Sequence, residues 1–206
     1  MTTNDVSMDH KPRRVVAEIV LSLDGRVNGV GGDFDMSWIV PHAISDTSRQ
    51  RTVAFTESAT TALLGRKNYE GFAGYWPSVA EDESADPRDR AFSRWFTTVD
   101  KVVFSTMLTD AALPNSTVTS EPPARVVADL RKQPGGDIIV LASSSIIRDL
   151  LEADEVDRLS IMLCPETVGG GARLFDDSPL HRAEWTLQAH NVTETGSVVL
   201  DYDRKR

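Results

Sequence analysis

The chain has 206 residues, 40% of them hydrophobic, which suits one domain with a sizeable core rather than two. A formal charge of −9 and a pI near 4.9 exclude a nucleic-acid partner gripped by a domain-wide positive field, while leaving room for small anions bound locally. A lone cysteine, Cys164, excludes a disulfide framework and fits a buried thiol in a reducing cytoplasm, and no run approaches the ~18 apolar residues of a membrane span.

Residues 1–12 lack the apolar centre of a signal segment and read as a loose arm ahead of a single domain over 13–206. Residues 15–23 (VVAEIVLSL) are β-branched and apolar, as in a strand covered on both faces. From Gly25 to Trp38 four glycines stand among Asn and Asp, which predicts a mobile and functional loop. A weak helical period follows over 41–58, with Ser45 or Asp46 as its cap. Residues 60–64 form a short strand ending at Gly65, and Arg66 and Lys67 open a helix.

The acidic, proline-bearing stretch 77–90 reads as a surface loop, and 91–98 as a short helix with Phe92, Trp95 and Phe96 inward. A third strand covers 101–105, and a helix over 124–132 is closed by Pro134-Gly135. Next come a strand at 138–142, the serines Ser143, Ser144 and Ser145, and a helix carried by Ile146, Ile147, Leu150 and Leu151. A further strand at 159–164 precedes Gly169, Gly170 and Gly171, and segments 185–192 and 198–202 flank a turn as a hairpin.

Strands alternating with helices predict an α/β three-layer sandwich: a mixed, mostly parallel sheet flanked by helices, with a C-terminal antiparallel hairpin. Ligands of such sheets sit beyond the carboxyl ends of the strands. Asp24, the turn at Gly65 to Lys67, Ser105 and Thr106, Ala142 to Ser145, and the glycine run are therefore expected on one face. The serines either cap their helix or leave its N-terminus to an anion. Arg66 and Lys67 suit a phosphate monoester, or simply pair with neighbouring acids. Trp38 either covers a bound ring or fills core. The four histidines share no ligand spacing, no Cys-x-x-Cys exists, and the serines lack a nucleophile elbow, so metal and hydrolase chemistry are not indicated.

Four segments carry a resemblance: SLDGRV at 22–27, LLGRKNYEGFAGYWP at 63–77, KVVFSTML at 101–108, and the stretch 135–175. Together they resemble the dihydrofolate reductase-like family, which includes the C-terminal reductase domain of riboflavin biosynthesis. The resemblance implies NADPH bound across the strand ends and hydride transfer to a pteridine or a ribosylaminopyrimidine. It assigns the 2′-phosphate to Gly65, Arg66 and Lys67, the adenosine side to Ser105 and Thr106, and the diphosphate to Ala142, Ser143, Ser144 and Ser145. Gly169, Gly170 and Gly171 match its glycine-rich turn, Asp24 and Asp46 are its candidate acids, and Trp38 its candidate substrate contact. Where the family usually has glycine this chain has Ala142, so a non-catalytic small-molecule-binding homologue is the rival reading. Restoring glycine at 142 is expected to cost about 0.5–1 kcal/mol of stability while relieving the diphosphate turn. The apolar C-terminal hairpin and the resemblance both imply a homodimer.

Overall fold

The computed structural model describes residues 12–176 and 180–206, so all of the expected N-terminal arm but Pro12 lies outside the described residues. Strand β1 (Val15–Ser22) leads through a looped segment and a 3-10 turn (Ser37–Ile39) into the short helix α1 (Val40–Ala43) and then α2 (Asp46–Ser58). There follow β2 (Ala59–Gly65), α3 (Arg66–Val79), α4 (Pro87–Thr98), β3 (Asp100–Phe104) and β4 (Ser116–Thr119). Helix α5 (Pro123–Leu130), β5 (Asp137–Leu141), α6 (Ser144–Glu152), β6 (Arg158–Cys164), β7 (Trp185–Val192) and β8 (Val198–Arg204) complete the chain.

The eight strands form one sheet in the order β4-β3-β2-β5-β1-β6-β8-β7. The six from β4 to β6 run parallel, whereas β8 is antiparallel to both β6 and β7, as the hairpin pattern predicts. Alternation along β5 shows how the sequence makes two core faces from one apolar run. Ile138 and Val140 join Val15, Ala17, Ile19 and Leu63 under Val127 of α5 and Ile146, Ile147 and Leu150 of α6. Ile139 and Leu141 point the other way, toward Ala62, Leu64 and Val103, covered by Tyr69 of α3 and Phe92 and Phe96 of α4. Each buried Val, Leu, Ile or Phe among them contributes about 1.5–3 kcal/mol. Helix α6 ends where Asp154 takes a left-handed φ of 56°.

One expectation is corrected and one element is added. The stretch 77–90 is not all loop: α3 continues to Val79 through Pro77, and α4 starts at Pro87, capped by the Asp86 carboxylate accepting from the Arg88 N–H at 2.9 Å. Proline at the first helical position loses no intrahelical bond, so Pro87 marks a helix start. Trp76, on the last turns of α3, packs edge-on against Phe92 of α4 with centroids 4.5 Å apart, and that contact holds the turn around Pro77 in place. Strand β4 has no counterpart in the sequence reading, because STVT is short and polar and becomes a strand only by pairing with β3. No helix among the described residues is long and apolar enough to cross a membrane.

At the opposite end of β3 from its carboxyl terminus, Lys101 is only 1% exposed and donates from Nζ to the carbonyls of Val99 (2.6 Å) and Phe96 (3.0 Å), closing the end of α4. Burial pushes its ammonium down to about 8. Between that value and the unfolded value of roughly 10.4 the unfolded chain binds the extra proton, so stability rises with pH across this window. Urea midpoints measured from pH 7 to 10 are expected to rise in the wild type relative to Lys101→Met, and the two curves running parallel would contradict this.

Candidate functional site

A cleft of about 1130 Å3 lies beyond the carboxyl ends of β2, β3, β4 and β5. Four turns line it: residues 65–68 where β2 becomes α3, 104–107 after β3, 119–123 after β4, and 142–146 where β5 becomes α6, with Asp149 one turn on. A second wall consists of Val27, Asn28 and parts of the 33–43 segment, together with Gly71, Phe72, Tyr75 and Trp76 of α3. Phe34 reaches across to α3, since a Cβ on Gly71 would lie 3.5 Å from its ring.

Ser143 ties the two central turns together. Its hydroxyl donates to the Leu141 carbonyl (2.9 Å) and accepts from the Gly65 N–H (3.0 Å) and the Asn68 amide (3.3 Å). It is thereby diverted from capping, and no side chain caps α6, whose first-turn residues Ser144, Ser145 and Ile146 line the cleft. An uncapped first turn offers free N–H groups and the positive end of the helix dipole. Gly65 leaves the space between the starts of α3 and α6 open: a Cβ there would sit 3.9 Å from Ser145 Oγ, ordinary contact, so packing does not demand glycine. Ala142 has φ +45°, the left-handed region, and its N–H donates to Glu18 O at 2.9 Å. The turn thus holds a glycine-type backbone despite its methyl group.

Both cations of the cleft rest on acids in the free protein. Arg66 Nη1 meets the Glu70 carboxylate at 2.9 Å, and Lys67 Nζ contacts Asp33 of the loop after β1. Ser105 Oγ accepts from the N–H groups of Met107 (3.0 Å) and Leu108 (2.8 Å), which shapes the third turn, and Thr106 stands exposed beside it. Partial desolvation, helped by nearby Glu152, raises the Asp149 carboxyl above the usual carboxylate range. The donor set suits a dinucleotide: open glycine, adjacent Arg and Lys, an uncapped helix start and a hydroxyl turn line one cleft.

The family model for the RibD C-terminal domain matches residues 13–200. The chain belongs to the RibD C-terminal domain family. A curated relative, the uncharacterized protein YyaP of Bacillus subtilis strain 168, is 27% identical over 171 residues, 81% of this chain and 82% of its own. A protein provisionally assigned to riboflavin biosynthesis in Shewanella sp. PV-4 aligns with a TM-score of 0.69 at 19% identity, covering 94% of this chain and 99% of that one. The deaminase/5-amino-6-(5-phosphoribosylamino)uracil reductase of Thermotoga maritima aligns at 0.63 with 12% identity over 94% of this chain and 57% of its own. Dihydrofolate reductase of Enterococcus faecalis, complexed with NADP(H) and RAB-propyl, aligns at 0.58 with 15% identity over 94% and 97%. The mixed sheet is therefore the dihydrofolate reductase-like fold, as the resemblance implied.

Within this RibD-type fold the expected site residues divide. Gly65, Arg66, Lys67, Ser105, Thr106, Ala142, Ser143, Ser144 and Ser145 all line the cleft, whereas Asp24, Asp46, Trp38 and the glycine run do not. Asp24 is a clasp between the end of β1 and the 165–171 loop. It accepts from Ser22 Oγ (2.7 Å), the Val168 and Gly169 N–H groups (3.0 Å each) and Arg26 Nε (3.3 Å). The Ser22 hydroxyl first, and the Val168 amide next, hold its carboxyl well below the usual carboxylate range. Asp46 is paired with Arg88 Nη2 at 2.6 Å on the outer side of α2. Trp38 packs with Val20 against Met162 and Cys164. Gly170 and Gly171 back onto Val30 and Asn28, supporting the loop rather than reaching the cleft themselves.

Asn28, Phe34, Asn68, Tyr75, Trp76, Glu121 and Asp149 line the cleft without having been singled out in the sequence. Tyr75 and Trp76 carried a signal, standing within the LLGRKNYEGFAGYWP segment on the far turns of the helix that Arg66 opens. The Ala142 geometry also reverses the expected sign of a substitution. A left-handed alanine costs about 1–2 kcal/mol relative to glycine, more than the roughly 0.4–1 kcal/mol that glycine adds to unfolded-chain entropy. Ala142→Gly is therefore expected to raise the melting temperature by roughly 1–4 °C, read by thermal denaturation. A lowered melting temperature would contradict it.

Proposed function

We propose that this protein is an NADPH-dependent reductase acting on a small heteroaromatic substrate of the pteridine or ribosylaminopyrimidine kind. The observation that carries the reading is the convergence on one cleft of the Arg66-Lys67 turn, the open Gly65 gap and the uncapped start of α6. Family membership and the reductases among the similar folds support it. Arg66 and Lys67 hold the 2′-phosphate, the backbone of Gly65 and of Ala142 to Ser145 meets the diphosphate, and Ser105 and Thr106 flank the adenosine. NADPH, when bound, supplies the hydride. The chain's own residues position the reactants and exclude water, with the aromatic face of α3 and Phe34 closing over the ring. Asp24 and Asp46 stand outside the cleft and are engaged elsewhere, so neither is placed to supply the accompanying proton.

The test is loss of nicotinamide absorbance when heteroaromatic acceptors are added to protein and NADPH. NADPH binding without oxidation by any acceptor would favour the rival, a non-catalytic binding homologue, for which the methyl of Ala142 in the diphosphate turn is the supporting observation. The protein also acts as a homodimer in this reading. Strand β7 is an edge strand whose residues after Trp185 are exposed, among them Leu187 and Val192, and a partner strand or face would cover them. Sedimentation at micromolar concentration is expected to give about twice the 22.6 kDa chain mass, and a monomer would overturn it.

A further inference from the structure

The cleft is polarised along α3. Arg66 and Lys67 begin the helix, and at ~1.5 Å per residue Trp76 lies roughly 15 Å further along it. Among the described residues, five charged side chains line the cleft: the cations Arg66 and Lys67, and the acids Asp33, Glu121 and Asp149. Asp33 is drawn to the phosphate end by its contact with Lys67, while Glu121 and Asp149 belong to the turn after β4 and to α6. The far wall, formed by Phe34, Met36, Ile39, Val40 and Ala43 against the later turns of α3, contributes neither a cation nor a carboxylate of its own among the described residues. Phe34, Val40 and Tyr75 are all more than half exposed there, although each is large and apolar. An apolar concavity of this kind is satisfied by a ring that covers it.

We infer that the substrate is an uncharged, planar conjugated ring without a phosphate, held by apolar and stacking contacts with Phe34, Tyr75 and Trp76. The inference rests on the reading that Arg66 and Lys67 serve the cofactor. With both engaged there, a phosphoribosyl substrate would put a dianion into a cleft whose remaining charges among the described residues, Asp33, Glu121 and Asp149, are all negative, and that repulsion disfavours it. A ring held through a facing carboxylate is disfavoured because the apolar wall supplies none, and Asp24 and Asp46 are outside the cleft and bound to other groups. Of the two substrate kinds the family suggests, the phosphorylated one fits this chain less well.

Calorimetric titration of the intact protein, saturated with NADP+, with menadione, lumiflavin and riboflavin as neutral planar probes and flavin mononucleotide as the phosphorylated counterpart of riboflavin, tests this directly. At least one neutral ring is expected to bind, riboflavin at least tenfold tighter than flavin mononucleotide, and Tyr75→Leu and Phe34→Leu each to weaken the ring severalfold with NADP+ affinity unchanged. Equal or tighter binding of flavin mononucleotide, or no neutral ring bound while NADP+ still binds, would overturn the inference and leave the cofactor reading standing. If NADP+ itself fails to bind, the cofactor reading fails, and the inference that rests on it falls with it.

Discussion

Replacing both Arg66 and Lys67 by alanine is expected to erase most of the discrimination between NADPH and NADH, with NADH affinity nearly unchanged. The two cofactors differ by one phosphate, and in a chain of net charge −9 that dianion is repelled unless local cations meet it. The free protein already shows these cations drawing carboxylates, Glu70 to Arg66 and Asp33 to Lys67. Both pairs are solvent-exposed to a degree that makes them weak, so a phosphate with higher charge displaces them at small cost. Charge-assisted contacts of roughly 1.5–3 kcal/mol correspond to about ten- to a hundredfold in affinity. Dissociation constants for both cofactors at two ionic strengths read the effect. Salt is expected to weaken NADPH more than NADH in the wild type, and the gap to shrink in the double variant. A double variant that kept its full preference would move the 2′-phosphate elsewhere, with the hydroxyls of Ser105 and Thr106 as the next candidates.

Gly171→Ala is expected to be among the most destabilising single changes in the loops around the cleft. Gly171 has φ +85°, and a Cβ there would lie 2.1 Å from the Asn28 carbonyl oxygen and 2.9 Å from that of Gly29. Those are backbone atoms that no rotamer change removes. The left-handed backbone costs an alanine about 1–2 kcal/mol and the overlap about 1–3 kcal/mol more. The sum, about 2–5 kcal/mol, lowers the melting temperature by roughly 4–20 °C for a chain of this length. Asn28 is where the damage spreads, because its side chain accepts from the Ala172 N–H at 2.7 Å and donates to Gly32 O at 2.8 Å, fixing the loop that carries Asp33 and Phe34. Gly169→Ala is the control. Its φ is +73° but nothing lies within 4 Å of its Cβ, so only the conformational cost applies. Equal losses in the two variants would show that the close approach to Asn28 does not matter.

These cases show what the sequence can and cannot carry. The β5-α6 unit was legible because Ile138 to Leu141 alternate between two buried faces and Ile146, Ile147, Leu150 and Leu151 repeat on one side of a helix, both local periods. The end of α3 was not, because Pro77 reads as a breaker while the contact that holds it, Trp76 on Phe92, is tertiary. Strand β4 exists only through its pairing with β3. The cleft turns at Gly65 to Lys67 and Ala142 to Ser145 were readable as residues that end strands and begin helices. The roles of Asp24 and of the glycine run were not, since both motifs are real but their partners, Val168 and Gly169 for one and Asn28 and Val30 for the other, come from distant parts of the chain. The apolar wall of the cleft could not be assembled from sequence either, because Phe34 reaches α3 at Gly71 only once the loop after β1 is laid against that helix.

The central claim is that the cleft beyond β2, β3 and β5 takes NADPH, and a titration of the purified wild-type protein followed by nicotinamide fluorescence tests it most directly. The predicted result is saturable binding at one equivalent per chain, with NADPH bound about tenfold or more tightly than NADH at low salt. No saturable change with either cofactor, or equal affinity for both, would contradict it.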